Sequence, residues 1–288
     1  MISFGGNILT AGSGAWITTM PNPNPLNLPP FTIRVQYAPG TTPVIPVSHG
    51  ATVVQVSADP NIWDVTQEHD ENFFPYWGWL FAQDLDLVAV LGANSSGITK
   101  MNHLFSYCEN LQSVEFFDTS LCTSMDNMFT HNLSLREIPW FDTHNVVTMR
   151  NMFDGATSFV HCPGLDTSRV TQMSGMFAYT AIQEAPALDT SSAEEMIDMF
   201  YVCESLKHVP LYSTASCIDM RNMFAFCHNV EGGALALYNQ ASSQAVPPTY
   251  YRGAFYECGK DTVSGAAELA QIPYDWRIPE GFEELWPQ

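Results

Sequence analysis

Methionine is the residue type whose spacing first suggests chemistry. Eleven of the 13 methionines lie in a recurring Met-x-x-Met-Phe motif or a close variant of it. Six copies of the motif start at Met101, Met125, Met149, Met173, Met196 and Met220. Thioethers bind Cu(I), a soft metal, but they also fill irregular cores as flexible side chains. Because every copy sets methionine beside phenylalanine among other apolar positions, we predict core packing and neither a metal nor a cofactor site.

Cysteines occupy one fixed position of this pattern. The chain has seven cysteines, and Cys108, Cys203, Cys227 and Cys258 each lie seven residues after a motif start. Cys203 and Cys227 belong to adjacent copies, so a disulfide between them is one interpretation. The same position holds Asn132, Ala156 or Thr180 elsewhere, which favours a small buried slot filled by free thiols. Zinc is disfavoured because no Cys-x-x-Cys pair exists.

Acidic and histidine side chains offer two further metal hypotheses. Asp-Thr pairs recur at 118–119, 142–143, 166–167 and 189–190. A ladder of these aspartates could bind cations, but we favour the interpretation that each carboxylate caps backbone N–H groups at a bend. His161 and His208 share a position two copies apart, which puts them roughly 10 Å apart and too far to share a metal. No nucleophile elbow, catalytic carboxylate pair or Walker loop is present, so we predict no enzyme activity.

The motif copies follow a fixed period. Their starts are separated by 24, 24, 24, 23 and 24 residues, and each copy also contains a Leu-x-x-Leu-x-Leu-like run such as "LQSVEF". Such a period predicts an α+β repeat solenoid, a leucine-rich-repeat-like stack of coils of about 24 residues. Each coil would contain a short strand and a short helical or 3-10 turn. A proline column at Pro139, Pro163, Pro186 and Pro210 predicts very short strands.

Three regions follow from this pattern. Residues 1–76 are predicted to be a β-rich capping and attachment region, with strands near 31–37 and 51–57, a Pro-rich linker at 21–30 and a solvated acidic loop at 59–72. Residues 77–258 would form the coils, starting at 77, 101, 125, 149, 173, 196, 220 and 251. "GANSSG" at 92–97 would be the bend of a degenerate first coil rather than a phosphate loop. Residues 259–288 would form a C-terminal cap, preceded by a helix in "ALALYNQASSQA".

Composition excludes several partner classes. The chain of 288 residues carries 30 Asp plus Glu against 10 Lys plus Arg, a net charge of −20. Such a surface repels nucleic acid and anionic membranes. No apolar run is long enough to span a membrane, and the first 20 residues lack the basic segment and compact apolar stretch of a signal peptide. We therefore expect no nucleic-acid binding, no membrane insertion and no Sec signal.

The residues that vary between the apolar positions form the candidate binding surface, which we call the lateral face. It consists of Gln112, Ser113, Glu115, Arg136, Glu137, Val160, His161, Gln183, Glu184, Lys207 and His208. A rigid repetitive surface with diverse side chains suits a large or extended partner. The alternative is a simple solvated surface without a partner.

The motif also carries a family resemblance. "MRNMF" at 149–153, followed by Asp-Thr-Ser and Val-Thr-x-Met, resembles the repeats of BspA-like leucine-rich repeat proteins, in the Met-Phe variety of bacterial surface proteins and phage genes. The resemblance covers residues 77–258. It implies a non-enzymatic surface or virion protein that binds a partner. Because no Sec signal is expected, we favour an exposed virion surface, for example a phage tail or head fibre that binds a host-cell surface protein or glycan.

The resemblance leaves two alternatives open. One is a structural virion decoration or assembly protein, and the other is a bacterial cell-surface adhesin exported without a Sec signal. In a virion, residues 1–76 would contact other virion proteins, and a homo-oligomer is expected because such parts are usually symmetric.

Overall fold

The described chain begins with a mixed five-stranded sheet. The computed structural model describes residues 26–43, 51–56, 59–67 and 79–279. The strands are β1 (Thr32–Tyr37), β2 (Ala51–Gln55), β3 (Ile62–Gln67), β4 (Leu87–Asn94) and β5 (Ser113–Val114). Their order across the sheet is β2-β3-β1-β4-β5. β5 runs parallel to β4, and the other neighbouring pairs are antiparallel.

Local sequence explains most of this sheet. β1 alternates in burial, with Ile33, Val35 and Tyr37 turned into the core, as a strand with one buried face requires. The predicted strands near 31–37 and 51–57 are therefore confirmed as β1 and β2. The solvated loop predicted for 59–72 is wrong over 62–67, which form β3. This part of the acidic run pairs with β1, and Asp64 lies opposite Arg34 in the register. The Arg34 guanidinium binds the Asp64 carboxylate through two hydrogen bonds of 2.7 Å, which compensates the acidic charge within the sheet.

The predicted fold class, an α+β repeat solenoid of leucine-rich-repeat-like coils, is wrong. In the described part of the chain the strands form one mixed five-stranded sheet, and the three helices are short. The strand expected in each coil is only two residues long in the copy that starts at Met101, where it is β5, within "LQSVEF". In later copies the prolines of the proline column lack the N–H donor that a longer ladder needs. The supposed first coil likewise contributes β4, eight residues long and antiparallel to β1.

The predicted helical turns are absent from the described Met-Phe motifs, which form successive β-turns. In the first copy, the Cys108 N–H donates to the Phe105 carbonyl at 3.3 Å, and between them Tyr107 has a φ of 61°. Positive φ recurs at the equivalent residues His131, Gly155, Tyr179, Val202, Phe226 and Glu257. A positive φ at the third residue of a turn is the mark of type II turns and is incompatible with a right-handed helix.

Backbone hydrogen bonds connect each copy to the next in the register of the repeat. The Met101 N–H donates to the Ser124 carbonyl, and the Phe105 N–H donates to the Met128 carbonyl, both at 3.0 Å. A line of single-residue parallel bridges passes through Lys100, Ser124, Thr148, Gln172, Glu195, Asp219 and Tyr250. The period of the sequence thus takes the form of stacked turns and single bridges.

The Met-Phe residues line a continuous core, as the sequence predicts. Every methionine of the motif is fully buried. The motif phenylalanines form a column with centroid separations of 5.2–6.2 Å from Phe81 to Phe255. Their rings are within 20° of parallel, an offset-stacking range typical of aromatic pairs.

The described part of the chain contains three short helices, one before the last motif copy and two after it. α1 (Ala234–Ser242) confirms the helix predicted in "ALALYNQASSQA", and α2 (Val263–Leu269) and α3 (Tyr274–Arg277) come after the last motif. Trp276 of α3 packs on Phe255 at the end of the phenylalanine column, with centroids 6.3 Å apart. None of the helices in the described ranges is both long and apolar enough to cross a membrane.

The proposed region boundaries stay predictions. The sheet joins strands from both sides of the boundary at 76/77. The predicted coil start at Trp77, residues 21–25 of the linker, residues 68–72 of the acidic run and the end of the C-terminal cap lie outside the described residues.

Candidate binding surface

The lateral face is accessible along the described copies. Nine of its eleven side chains are exposed, while Val160 and Lys207 are half-buried. The flanking apolar residues point the other way: Val114, Ile138 and Val209 are at most 7% exposed. The sequence period therefore predicts correctly which residues reach solvent, and the choice of this face for binding stays a prediction.

Backbone contacts bring some members of the lateral face together. The Val160 N–H donates to the Arg136 carbonyl, and the Lys207 N–H donates to the Gln183 carbonyl, both at 3.0 Å. Positions 136–137 thus lie beside 160–161, and 183–184 lie beside 207–208. Gln112 instead donates its N–H to β4, so the first members of the face continue the sheet.

The charge of the lateral face differs from that of the whole chain. The face contains two basic and three acidic residues, whereas the chain has three acidic residues for every basic one. Lys207 also lies 3.7 Å from Glu231 of the following copy, in a pair that is about half exposed and weak. The face is therefore mixed in charge and rich in hydrogen-bonding groups.

The aspartate column caps bends, as predicted. Asp118 Oδ1 accepts the Ser120 N–H, and Asp189 Oδ1 accepts the Ser191 N–H, both at 2.9 Å. Hydrogen bonds from the Ser191 side chain and then from its backbone N–H lower the pKa of Asp189. The neighbouring threonine hydroxyls have a role that the sequence reasoning missed, because each donates to a carbonyl of the next copy at 2.8 or 2.9 Å. The donors are Thr119, Thr143, Thr167 and Thr190, and the acceptors are Asp142, Asp166, Asp189 and Ser213.

The cysteine position is a buried slot, as predicted, and it also supplies hydrogen-bond donors. All seven cysteines are free and buried. Side chains in the slot donate to a phenylalanine carbonyl of the preceding copy: Cys108 to Phe81, Asn132 to Phe105, Cys203 to Phe177 and Cys227 to Phe200. Burial raises the pKa of Cys203 to about 12, which suppresses thiolate chemistry. The slot therefore accepts small side chains, and the cysteines and the asparagine named above also use it to donate this hydrogen bond.

The metal hypotheses gain no support from the geometry. Within the described residues, no group of three His, Cys, Asp or Glu side chains is arranged to hold a metal ion. His161 and His208 lie on the exposed lateral face. The backbone of His161 forms a β-bridge with Glu137 and that of His208 forms one with Gly232, so the two histidines are not paired with each other.

A second surface, along the Met-Phe turns, escaped the sequence reasoning. Aromatic side chains follow one another across four copies, with centroid separations of 5.5 Å for Tyr179–Tyr201, 5.4 Å for Tyr201–Phe226 and 5.0 Å for Phe226–Tyr256. The rings meet edge to face. We call these four residues the aromatic strip. Their shared position is visible in the sequence, because each of the four lies five or six residues after a motif start.

Comparisons with known proteins identify one family. The model of the family described as "Mycoplasma protein of unknown function, DUF285" matches residues 80–183 and again residues 136–236. Together the two matches span more than half of the chain and include all six copies from Met101 to Met220. Searches of curated proteins and of solved structures returned no match.

Proposed function

The chain belongs to the DUF285 family, and from that premise we propose that it is a non-enzymatic recognition protein. It would bind a host-cell surface protein or glycan through the lateral face. The observation that carries this proposal is the contrast between fixed and varied positions. Buried methionine and phenylalanine columns hold the copies in register, while the lateral face exposes different polar side chains in each copy.

We place the protein on the exposed surface of a virion, most specifically in a phage tail or head fibre. The resemblance to the Met-Phe variety of BspA-like proteins supports this location. Residues 1–76 would attach the protein to other virion components, and a homo-oligomer would follow from virion symmetry. A bacterial cell-surface adhesin would use the same lateral face in another location.

Binding to intact bacterial cells tests the choice of surface. Labelled full-length protein is incubated with a panel of bacterial strains, and bound protein is measured by flow cytometry. The double variant Arg136→Ser/His161→Ser removes two lateral-face side chains of adjacent copies. A matched control, His144→Ser/Arg169→Ser, removes the same residue types from exposed bends. We expect the lateral-face variant to lose at least tenfold in binding while the control changes less than twofold.

Two results would contradict this proposal. Undiminished cell binding by the lateral-face variant would exclude the lateral face, and absence of binding to any strain would exclude adhesion as the function.

A structural decoration or assembly role is the second candidate, favoured by the uninterrupted phenylalanine column, which provides rigid bulk. In that case the lateral face would be buried in subunit contacts of the particle, which electron microscopy of the particle would reveal.

A further inference from the structure

The five-stranded sheet ends in an open edge at β2. β2 is the first strand in the order β2-β3-β1-β4-β5, so in the described part of the chain it pairs with β3 alone. At the opposite end of the sheet, β5 belongs to the copy that starts at Met101. An edge strand presents backbone N–H and C=O groups that can pair with an added strand.

The register with β3 shows which backbone groups of β2 point outwards. The Val56 N–H donates to the Ile62 carbonyl at 2.9 Å, directly after the last residue of β2. Residues that bond to the partner strand alternate with residues that point away from it in an antiparallel pair. Ala51, Val53 and Gln55 therefore direct their N–H and C=O groups away from β3. Within the described ranges, these outward groups donate and accept no hydrogen bond.

β2 lacks the features that usually protect an edge strand. Its sequence, "ATVVQ", contains neither a charged residue nor proline, and its register with β3 has no bulge. Val54 is 61% exposed, so an apolar side chain lies beside the open edge. Natural proteins place lysine, proline or a bulge at such an edge to prevent pairing. The absence of all three from β2 favours a role for this edge in strand pairing.

Charge favours a second copy of this chain as the partner. The net charge of −20 opposes contact between most surfaces of two copies. β2 is uncharged, and Asp64, the one charged residue of β3, is paired with Arg34 at 2.7 Å. The strands at this edge are therefore locally neutral, so two copies can approach each other here with less repulsion than elsewhere.

The outward groups of β2 are arranged symmetrically about Val53. When two β2 strands pair antiparallel about this residue, the two Val53 residues exchange both of their N–H···O bonds. Ala51 of each copy then bonds with Gln55 of the other, which gives about six hydrogen bonds in all. Val54 of each copy lies opposite Thr52 of the other on the exposed side of the sheet. Such an isologous contact closes at two copies.

We propose that two copies of this protein pair through β2, antiparallel and centred on Val53, to form a twofold dimer. The two five-stranded sheets join into one continuous sheet. The inference goes beyond the proposed function, because pairing depends on the sheet and not on the lateral face. A dimer carries two lateral faces, and engagement of both raises the avidity of cell binding.

Sedimentation equilibrium of the full-length protein tests this association. We expect a monomer–dimer equilibrium between 1 and 200 µM, with no trimer. Val53→Pro removes both central hydrogen bonds, because proline has no N–H, and an outward edge position tolerates proline within one copy. We expect this variant to dimerise at least tenfold more weakly than the unmodified protein.

The matched control makes the same substitution far from the sheet. Val263 is the first residue of α2 and is 93% exposed, and proline is favoured at the first position of a helix. Val263→Pro should dimerise like the unmodified protein. A monomer at 200 µM, a trimer, or equal dimerisation of the two proline variants would overturn the proposal.

Cross-linking tests the register of the dimer. Thr52 of one copy lies opposite Val54 of the other, with Cα atoms about 4.5 Å apart, which a disulfide can span. Thr52→Cys and Val54→Cys are mixed and treated with oxidised glutathione. We expect covalent dimers in the mixture and only traces in either variant alone, where the new thiols are diagonal and the native cysteines are buried. Absence of covalent dimers from the mixture, or equal cross-linking in a single variant, would refute this arrangement.

The same measurements separate this inference from the proposed function. If the unmodified protein is monomeric but binds cells through the lateral face, the dimer fails and the proposed function stands. If the β2 dimer forms but no cells are bound, the dimer stands and adhesion fails. Thermal unfolding midpoints of all variants exclude a folding defect as the cause of lost dimerisation.

Discussion

The threonine hydroxyls at the bends should contribute measurably to the stability of the stacked copies. Thr143 is 1% exposed, and its hydroxyl donates to the Asp166 carbonyl of the next copy at 2.9 Å. Thr143→Val keeps the shape of the side chain but removes the donor, so the Asp166 carbonyl loses this partner in a partly buried contact. Losing one such hydrogen bond costs about 0.5–1.5 kcal/mol in the free energy of unfolding.

Chemical denaturation followed by circular dichroism measures this cost. The matched control is Thr123→Val, because Thr123 is exposed and its hydroxyl donates to the Thr99 carbonyl at 3.1 Å. We expect the control to change the free energy of unfolding by less than about 0.5 kcal/mol. If Thr143→Val is as stable as the unmodified protein, or if both variants lose the same stability, the hydroxyls do not hold the copies together.

Three further predictions follow from burial. Because all seven cysteines are free and buried, we expect a thiol reagent to label fewer than one per folded chain at pH 8 and all seven after unfolding; fast labelling of the folded protein would contradict the buried slot. Burial raises the pKa of Asp154 and Asp198, so the folded state binds their protons more readily than the unfolded state. The stability that these two groups contribute should therefore rise as pH falls through their raised pKa values toward the ordinary value of 3.8. Asp154→Asn should flatten that rise in urea midpoints, and an unchanged slope would refute the assignment. Phe153→Ala, at a fully buried ring between two stacked neighbours, should cost about 3–5 kcal/mol, and a calorimetric loss below 1 kcal/mol would show that the column is not a packed core.

The period of the sequence predicted burial well. Every motif methionine and phenylalanine is buried, and most of the lateral face is exposed, because inward and outward positions must repeat when copies stack in register. The bend aspartates were also predictable, since a carboxylate two residues before a backbone N–H makes a local contact. Burial and bend positions depend on nearby residues, so they can be predicted correctly even when the predicted fold class is wrong.

The fold class could not be predicted in the same way. The short, apolar motif predicts helical turns, but residues such as Tyr107 and Val202 adopt positive φ, and no glycine at these positions signals it. Their turns are held by backbone hydrogen bonds to the next copy, for example from the Tyr107 N–H to the Thr130 carbonyl at 2.7 Å. A local pattern cannot reveal a conformation that a distant segment imposes.

β3 and the aromatic strip illustrate the division between sequence and structure. The sequence by itself determined which positions repeat, which residues are buried and where the bends fall, because these follow from spacing and side-chain chemistry. Only the tertiary structure decided that the acidic segment around Asp64 pairs with Arg34 in the sheet, and that Tyr201, Phe226 and Arg252 border one cleft. The physical reason is that these contacts join residues about 25 or more positions apart, whose approach depends on the packing of everything between them.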